Sequence, residues 1–380
     1  MTPASSSAGT GRPTGTRLPS LTSLRWFAAS AVFLWHGWLS LLVGTHLQAP
    51  LGHVATQGIT GVSFFFILSG FVLAWSHRPG DTPSAFYQRR IARIVPGYWV
   101  ACFLGVAVVA LVFDRTSRGE VALSFFPVTL LQAWVPHQSA YYAGNTVSWS
   151  LSVEAFFYAL FPFVIGPILA LTVRRQAALL TAVGGLVVAA CVAIHPTGYT
   201  GARFWLLFIF PAARLCEFVV GICLCALLMS GVRLRIRPSA AGALAIAAFC
   251  LAGLLPIDLR LVAAMLIPYS LLIFACAQSD LEGRRSWLHS QMLLQLGAWS
   301  YAFYLLHQLV VRLFAWRLLG HPGTALHAIA FGMSYVVAIG AAYLLFRYVE
   351  APLERALRRG GSQALVTSEP TTAPVPETSR

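Results

Sequence analysis

Two ionisable side chains stand in an otherwise apolar run near the start of the chain. In LTSLRWFAASAVFLWHGW, residues 21–38, Arg25 and His36 lie eleven positions apart. At 3.6 residues per turn this is close to three full turns, so a helix puts both on one face, about 16 Å apart along the axis. A guanidinium is a permanent cation that fits carboxylate and phosphate. An imidazole takes up and returns a proton near neutral pH. The spacing therefore permits an anionic ligand to be held at one point and a proton to be moved three turns away. The other ionisable groups in apolar stretches are Glu154, Arg214, Glu217, His307, Arg312 and Arg317. Inside a bilayer such groups are costly unless paired or hydrated, which makes each a candidate site residue.

Glu154 follows Trp149, which opens an apolar run, and lies about 8 Å further in. With the chain entering from the cytoplasm, His36 sits about 22 Å into a hydrocarbon core about 30 Å thick. The two side chains then reach similar depth. A carboxylate beside an imidazole fixes its tautomer and strengthens it as a base; a structural His–Glu pair joining two helices fits the spacing equally. Tyr304 and His307, three apart in SYAFYLLHQ, share a helical face and can reach the same outer-half cavity, with a histidine satisfied within the bundle as the other reading. Arg214 and Glu217 have the same spacing and are expected to pair with each other. Arg312 and Arg317 approach the outer interface, where long side chains snorkel. In FYQRRIARIVPGY, residues 86–98, Arg89 and Arg93 share a face and Arg90 flanks it. Such a cluster suits the phosphates of a cytoplasmic ligand such as coenzyme A, or serves topology by meeting lipid headgroups.

The elements that must hold these residues follow from composition. Of 380 residues 58% are hydrophobic and 10% charged, far from the roughly one-quarter charged residues of a soluble domain. The fold class is an all-α polytopic membrane protein. Ten runs are long and apolar enough for spanning helices, near 21–44, 57–76, 94–113, 148–171, 177–194, 204–229, 239–257, 261–277, 295–319 and 325–347. All 26 basic residues are arginine. With the N-terminus cytoplasmic, eighteen fall in inside segments and four outside, a positive-inside pattern that places both termini in the cytoplasm. The net charge of +14 is thus read as topogenic, and no nucleic-acid partner is expected. No internal repeat of the kind found in transporters is evident.

Residues 1–20 and 360–380 read as disordered cytoplasmic tails, leaving 21–359 as the membrane domain. The small-residue stretch FAASA lies in the middle of the first apolar run, so an uncleaved first helix is expected. The segment 114–147 is the longest connection and reads as an interfacial lid. The seven cysteines lie in apolar runs without ligand spacing, so neither a disulfide framework nor a metal site is expected. The stretch GVSFFFILSGFVL, residues 61–73, carries Gly61, Ser69 and Gly70, small residues that allow close helix approach; it lacks the spacing of a nucleophile elbow.

Taken in order, SLTSLRWFAASAVFLWH, GVSFFFILSGFVL, RRIARIVPGYW, SWSLSVEAFFYALFP, RLCEFVVGICLCAL, SYAFYLLHQ and RYVEAPLER resemble seven blocks of the acyltransferase-3 family of integral-membrane O-acyltransferases. The resemblance covers about residues 18–359. One departure is Ser63, where the family often carries Asp; it is expected near the cavity edge. No esterase-like domain is expected beyond the tenth helix. The resemblance implies an acyl-CoA donor, acetyl-CoA above all, with no permanently bound cofactor, and a hydroxyl acceptor on a surface glycan, a lipid or, as in one subgroup, a macrolide. It implies His36 as catalytic base and favours Glu154 as its partner. It also favours Arg25, Arg89, Arg90 and Arg93 as the donor's phosphate ligands. Ser69, Trp149, Ser150, Tyr304 and His307 are expected to support the acceptor or the oxyanion. Direct attack and an acyl-histidine intermediate are both compatible with these residues. The expected location is the bacterial plasma membrane. A glycan or lipid transporter, and a non-catalytic receptor, are the rival classes.

Overall fold

The computed structural model describes residues 17–78, 80–113, 125–319 and 323–357. Among them there is no strand. Ten long helices occupy the ten apolar runs: α1 Pro19–Gly37, α2 Gly61–Ser76, α3 Pro83–Phe113, α4 Trp149–Ala170, α5 Val173–Ile194, α6 Pro211–Met229, α7 Pro238–Leu251, α8 Ala263–Leu281, α9 Gln291–Arg317 and α10 Thr324–Leu345. Seven helical segments are long and apolar enough to cross a membrane. They include α2–α6, α8 and α10. α7 is shorter, while α1 and α9 are long but diluted by Arg25, His36, His307, Gln308 and Arg312. The polarity that sets these two apart is the polarity of the site.

Local chemistry sets the boundaries. α1, α6 and α7 each begin with proline in the first turn, where its missing N–H is no loss. α1 starts at Pro19, with Ser20 already buried, two residues before the expected edge at 21. The Ser20 amide and hydroxyl donate to the two oxygens of Asp280 at 2.9 and 2.6 Å, and His289 Nε2 lies 2.8 Å from the same carboxylate. A remote carboxylate thus satisfies an otherwise orphan N–H of the first turn and ties α1 to the end of α8. Residues 1–16 of the expected 1–20 tail, the expected tail 360–380, and part of the 114–147 connection lie outside the described residues.

Helix approach depends on small residues. A Cβ on Gly221 would stand 1.9 Å from the Ile67 carbonyl oxygen, and one on Gly70 would stand 2.0 Å from that of Phe218. The α2 and α6 backbones therefore touch, as small residues permit in membrane helices. Gly58 and Gly61 do the same for α2 against α1, meeting the Ala31 and Ala28 carbonyls at 2.0 and 2.5 Å. On the other flank a Gly297 Cβ would meet the Thr22 carbonyl at 2.1 Å. From Thr22–Gly297 the contacts advance to His36–His307, so α1 and α9 run in the same direction. α2 runs against them.

The segment 125–148 is not a lid lying at an interface. Gln132, Ala133, Tyr141, Asn145 and Val147 are buried. Tyr98 Oη donates to the Pro127 carbonyl at 2.5 Å, and Asn145 Nδ2 to that of Leu305 on α9 at 2.7 Å. These residues of the connection are packed into the bundle, where Tyr98, Gln132 and Asn145 make hydrogen bonds to neighbouring segments.

Candidate active site

The parallel packing of α1 on α9 brings two imidazoles together. His36 Nδ1 lies 3.0 Å from His307 Nε2, and His307 Nδ1 lies 3.2 Å from the Phe303 carbonyl oxygen one turn earlier. A carbonyl oxygen only accepts, so the proton of neutral His307 sits on Nδ1 and its Nε2 is an acceptor. His36 Nδ1–H then donates to it, which leaves the lone pair on His36 Nε2 free. His307 has no exposed surface and is stacked on Phe303 at 5.7 Å; His36 is part-exposed. One imidazole is thus buried and held, and the other is part-exposed with a free ring nitrogen.

The expected His36–Glu154 pair does not form. Glu154 Oε1 accepts from Ser69 Oγ at 3.1 Å and from the Tyr158 hydroxyl. Both donors and Glu154 line a cavity of about 290 Å³ enclosed by α1, α2, α3, α4 and α9. Arg25, Arg90 and Arg93 line its mouth. Ser150 and Tyr304, with Val62 and Phe65, line its far end. There Ser150 Oγ lies 2.7 Å from Tyr304 Oη, and Tyr304 Oη also reaches the Val147 carbonyl at 3.2 Å. Neither imidazole is part of the wall. Tyr304 stands between, its ring centroid 5.8 Å from that of His307. Val32 is the residue of α1 level with this end: its Cγ2 would meet a Cβ on Gly61, next to Val62, at 2.8 Å. His36 lies one turn beyond Val32, about 6 Å along the axis.

Arg25, Ser69, Arg90, Arg93, Ser150, Glu154 and Tyr304 are therefore in the cavity wall. Arg89 is not: it pairs with Asp81 at 2.9 Å, because Asp81 precedes the first turn of α3. Trp149 is not either: it is buried against Phe66 and Phe208. Ser63 lies away from the cavity edge, accepting a hydrogen bond from Arg214 Nη2 at 3.0 Å. Arg214 and Glu217 pair at 2.9 Å as expected, both 1% exposed, with the guanidinium between the rings of Phe66 and Phe208. Arg312 does not extend to an interface; it donates to Thr146 Oγ1 and to the Gly144 carbonyl, and so braces the turn that leads into α4.

Four wall or rim residues escaped the sequence reading. Tyr158 is four after Glu154, on one helical face. Ser300 and Tyr301 begin the block that contains Tyr304; Tyr301 Oη donates to the Ile94 carbonyl at 2.9 Å. Glu350 comes from the helical turn after α10, is 7% exposed, and lies close enough to Gly97 that a Cβ there would meet its Oε1 at 2.8 Å. Glu350 and Glu154 both act electrostatically on Arg25. Three guanidinium groups and Glu154 thus line the cavity, and Glu350 lies outside its wall, against Gly97. Among the described residues no group of His, Cys, Asp and Glu is arranged to hold a metal ion.

A bundle of membrane helices that sets an oriented imidazole one turn past the end of an arginine-mouthed cavity has the parts of a membrane-embedded transferase. Residues 18–347 match the family model described as an acyltransferase domain. The chain belongs to that acyltransferase family. It is 34% identical to Acyltransferase MdmB of Streptomyces mycarofaciens, over 97% of this chain and 99% of that protein. It is 29% identical to Exopolysaccharide production protein ExoZ of Rhizobium meliloti, over 85% of this chain and 96% of that protein. With Peptidoglycan O-acetyltransferase OatA of Listeria monocytogenes it shares 28% identity over 38% of this chain and 24% of that protein. No solved structure matches the chain.

Proposed function

We propose that the protein transfers an acyl group, acetyl in the first instance, from acyl-CoA to a hydroxyl of a macrolide or glycan acceptor, with His36 as general base. Both termini and the Arg25 end of the cavity face the cytoplasm of a bacterial cell, in accord with the arginine distribution. The observation that carries the reading is the placement of the His36–His307 pair one turn past a blind cavity end whose mouth holds Arg25, Arg90 and Arg93. The phosphates of CoA meet the arginines, which bind phosphate as planar forks. The pantetheine arm occupies the cavity, which at about 290 Å³ is at the small end of ligand sites of roughly 300–1,000 Å³; the nucleotide stays outside. The thioester then lies beneath Tyr304.

The acceptor hydroxyl enters from the His36 side. Its oxygen forms the new C–O bond with the thioester carbonyl carbon as its proton passes to His36 Nε2. His36 Nδ1–H stays bonded to His307, which holds the ring in line. The Tyr304 and Ser150 hydroxyls can turn toward the carbonyl oxygen as charge develops on it. Collapse breaks the C–S bond, and the sulfur takes the proton from the imidazolium. The products are the ester and free CoA thiol. An acceptor oxygen needs about 2.8 Å to the base and about 3 Å to the carbon it attacks. A one-turn rise of about 6 Å along α1 is compatible with one such oxygen between the two, which favours direct transfer. The full-length similarity to Acyltransferase MdmB supports acyl transfer, and similarity to exopolysaccharide and peptidoglycan proteins supports acceptors that carry sugars.

The test uses protein in lipid nanodiscs, labelled acetyl-CoA, and panels of macrolides and glycans. Label should appear in one acceptor class with wild type and not with His36→Ala. Equal transfer by a folded His36→Ala protein would remove the base assignment. Passage of an unmodified glycan or lipid across proteoliposomes, without labelling of any acceptor, would make the protein a transporter.

A further inference from the structure

The far end of the cavity holds an aromatic side chain to which the reaction assigns no chemical part. Phe65 lines the cavity and stands edge-on to Tyr304, with ring centroids 5.9 Å apart and planes at 68°. Behind it Phe64 packs edge-on to Phe65 at 6.3 Å and to Tyr269 at 5.3 Å, and Tyr269 is held by a 3.0 Å hydrogen bond to Thr60. On its other side Phe66 is fixed by Trp149, Phe157 and the Arg214 guanidinium. Tyr304 is held by Ser150 and the Val147 carbonyl, and Asn145 pins that turn to α9. Its two ring neighbours, Phe64 and Tyr304, are thus held in place, while Phe65 itself is half-buried and lines the open cavity.

We propose that Phe65 closes the far end of the donor cavity and sets the length of the acyl group, restricting the donor to acetyl and propionyl thioesters. The inference rests on the donor reading above. The pantetheine arm brings the thioester up from the arginines, and the carbonyl must stop beneath Tyr304 to face an incoming hydroxyl. The acyl methyl group then points at the apolar part of the end wall, to which Val62 and Phe65 belong. Each added methylene must displace the Phe65 ring, and close-packed surroundings resist that. Replacing the ring with a methyl group opens space for several methylenes without touching a hydroxyl, an imidazole or an arginine.

The experiment compares acetyl-, propionyl-, butyryl- and hexanoyl-CoA as donors for wild type, Phe65→Ala, Phe65→Leu and Phe65→Trp in nanodiscs. Binding of the matching S-acyl-pantetheines is measured in parallel by calorimetry. Phe65→Ala should raise the hexanoyl-to-acetyl ratio of kcat/KM at least tenfold while acetyl transfer persists. Phe65→Leu should fall between it and wild type, and Phe65→Trp should lose propionyl before acetyl. The calorimetric ratio should move in the same order. A Phe65→Ala or Phe65→Leu protein that folds and keeps the wild-type chain-length profile in both measurements overturns the proposal. If no variant transfers any acyl group, yet the calorimetric ratio shifts as stated, the cavity assignment stands and the transfer reaction fails instead. An unshifted calorimetric ratio sinks the Phe65 assignment whatever the transfer assay reads.

Discussion

Changing His307 to phenylalanine isolates the support from the base. The ring volume is nearly kept, in a site with 0% exposure and a stacking partner in Phe303 at 5.7 Å, so packing is largely preserved. What disappears is the acceptor for His36 Nδ1–H at 3.0 Å. The cost divides in two. A donor left without a partner in a dry setting destabilises by about 1–3 kcal/mol, less here because His36 is part-exposed. The catalytic cost is larger. Without His307 the His36 ring keeps only the backbone of Val32 one turn earlier and more readily rotates or moves its proton to Nε2, which removes the lone pair that must take the acceptor's proton. General-base assistance is worth about 10²–10⁴ in rate; a loss of about 10² in kcat, or about 2.7 kcal/mol in barrier, is expected. KM for acyl-CoA should stay near wild type, because the arginines that bind it lie three turns away. His307→Gln offers an amide oxygen to the same Nδ1–H and should recover part of the lost rate. Initial rates of labelled acetyl transfer, with thermal unfolding of each variant as control, give both numbers. A folded His307→Phe protein with wild-type kcat would refute the tautomer argument, and with it the role of the pair.

Three further outcomes follow from the geometry. Arg25→Ala and Arg93→Ala should each raise KM for acyl-CoA by about ten- to a hundredfold, as expected for loss of a charge-assisted phosphate contact of about 1.5–3 kcal/mol, whereas Arg89→Ala, which releases Asp81, should leave KM unchanged in steady-state kinetics. Gly221→Ala puts a methyl group 1.9 Å from a backbone oxygen that cannot give way; overpacking of this kind costs about 1–3 kcal/mol or more, read as a lower unfolding temperature, while Gly166→Ala, with nothing within 4 Å, should fold normally. Acid-quenched mixtures of protein and labelled acetyl-CoA without acceptor should contain no label on His36, and a covalent label there by mass spectrometry would replace direct transfer with an acyl-histidine route.

The fold was legible where one physical requirement acts alone. Hydrocarbon demands long apolar helices, and a helix lies in each of the ten apolar runs, seven of them within segments long and apolar enough to cross a membrane. Arg25 and His36 were readable because a single helix fixes their relation without any knowledge of neighbours. The Arg214–Glu217 pair was readable for the same reason. Contacts between helices were not. Glu154 reaches the depth of Ser69 and Tyr158, not that of His36, and depth counted from helix ends carries errors of a full turn because boundaries shift by several residues. His307 was singled out, but its partner was not, since pairing needs the register of α1 on α9, and that register is set by Gly297 meeting the Thr22 carbonyl. Nothing in the sequence distinguishes that glycine from Gly332 or Gly340, which meet nothing. Arg89 looked equivalent to Arg90 and Arg93 until Asp81 was seen to hold it. A cluster of like charges reveals a cationic surface; which members point inward depends on the rotation of α3.

The offset between cavity and base also accounts for why the arginine and the histidine share one helix. An enzyme that draws its donor from one side of a membrane and its acceptor from the other must not let either side leak through. A continuous channel from the arginines to His36 would expose the thioester to water from both faces. In the proposed reaction the Ser150–Tyr304 hydrogen bond at 2.7 Å and the Phe65 ring end the cavity about one helical turn short of His36, which keeps the donor space apart from the base. Water fits that gap as well as an acceptor oxygen does, and binding energy from the rest of the acceptor is what can favour the larger molecule. On the proposed reaction α1 would serve as the common ruler: its rise of about 1.5 Å per residue holds Arg25 and His36 in one rigid frame, and the bundle needs only to place the closure between them.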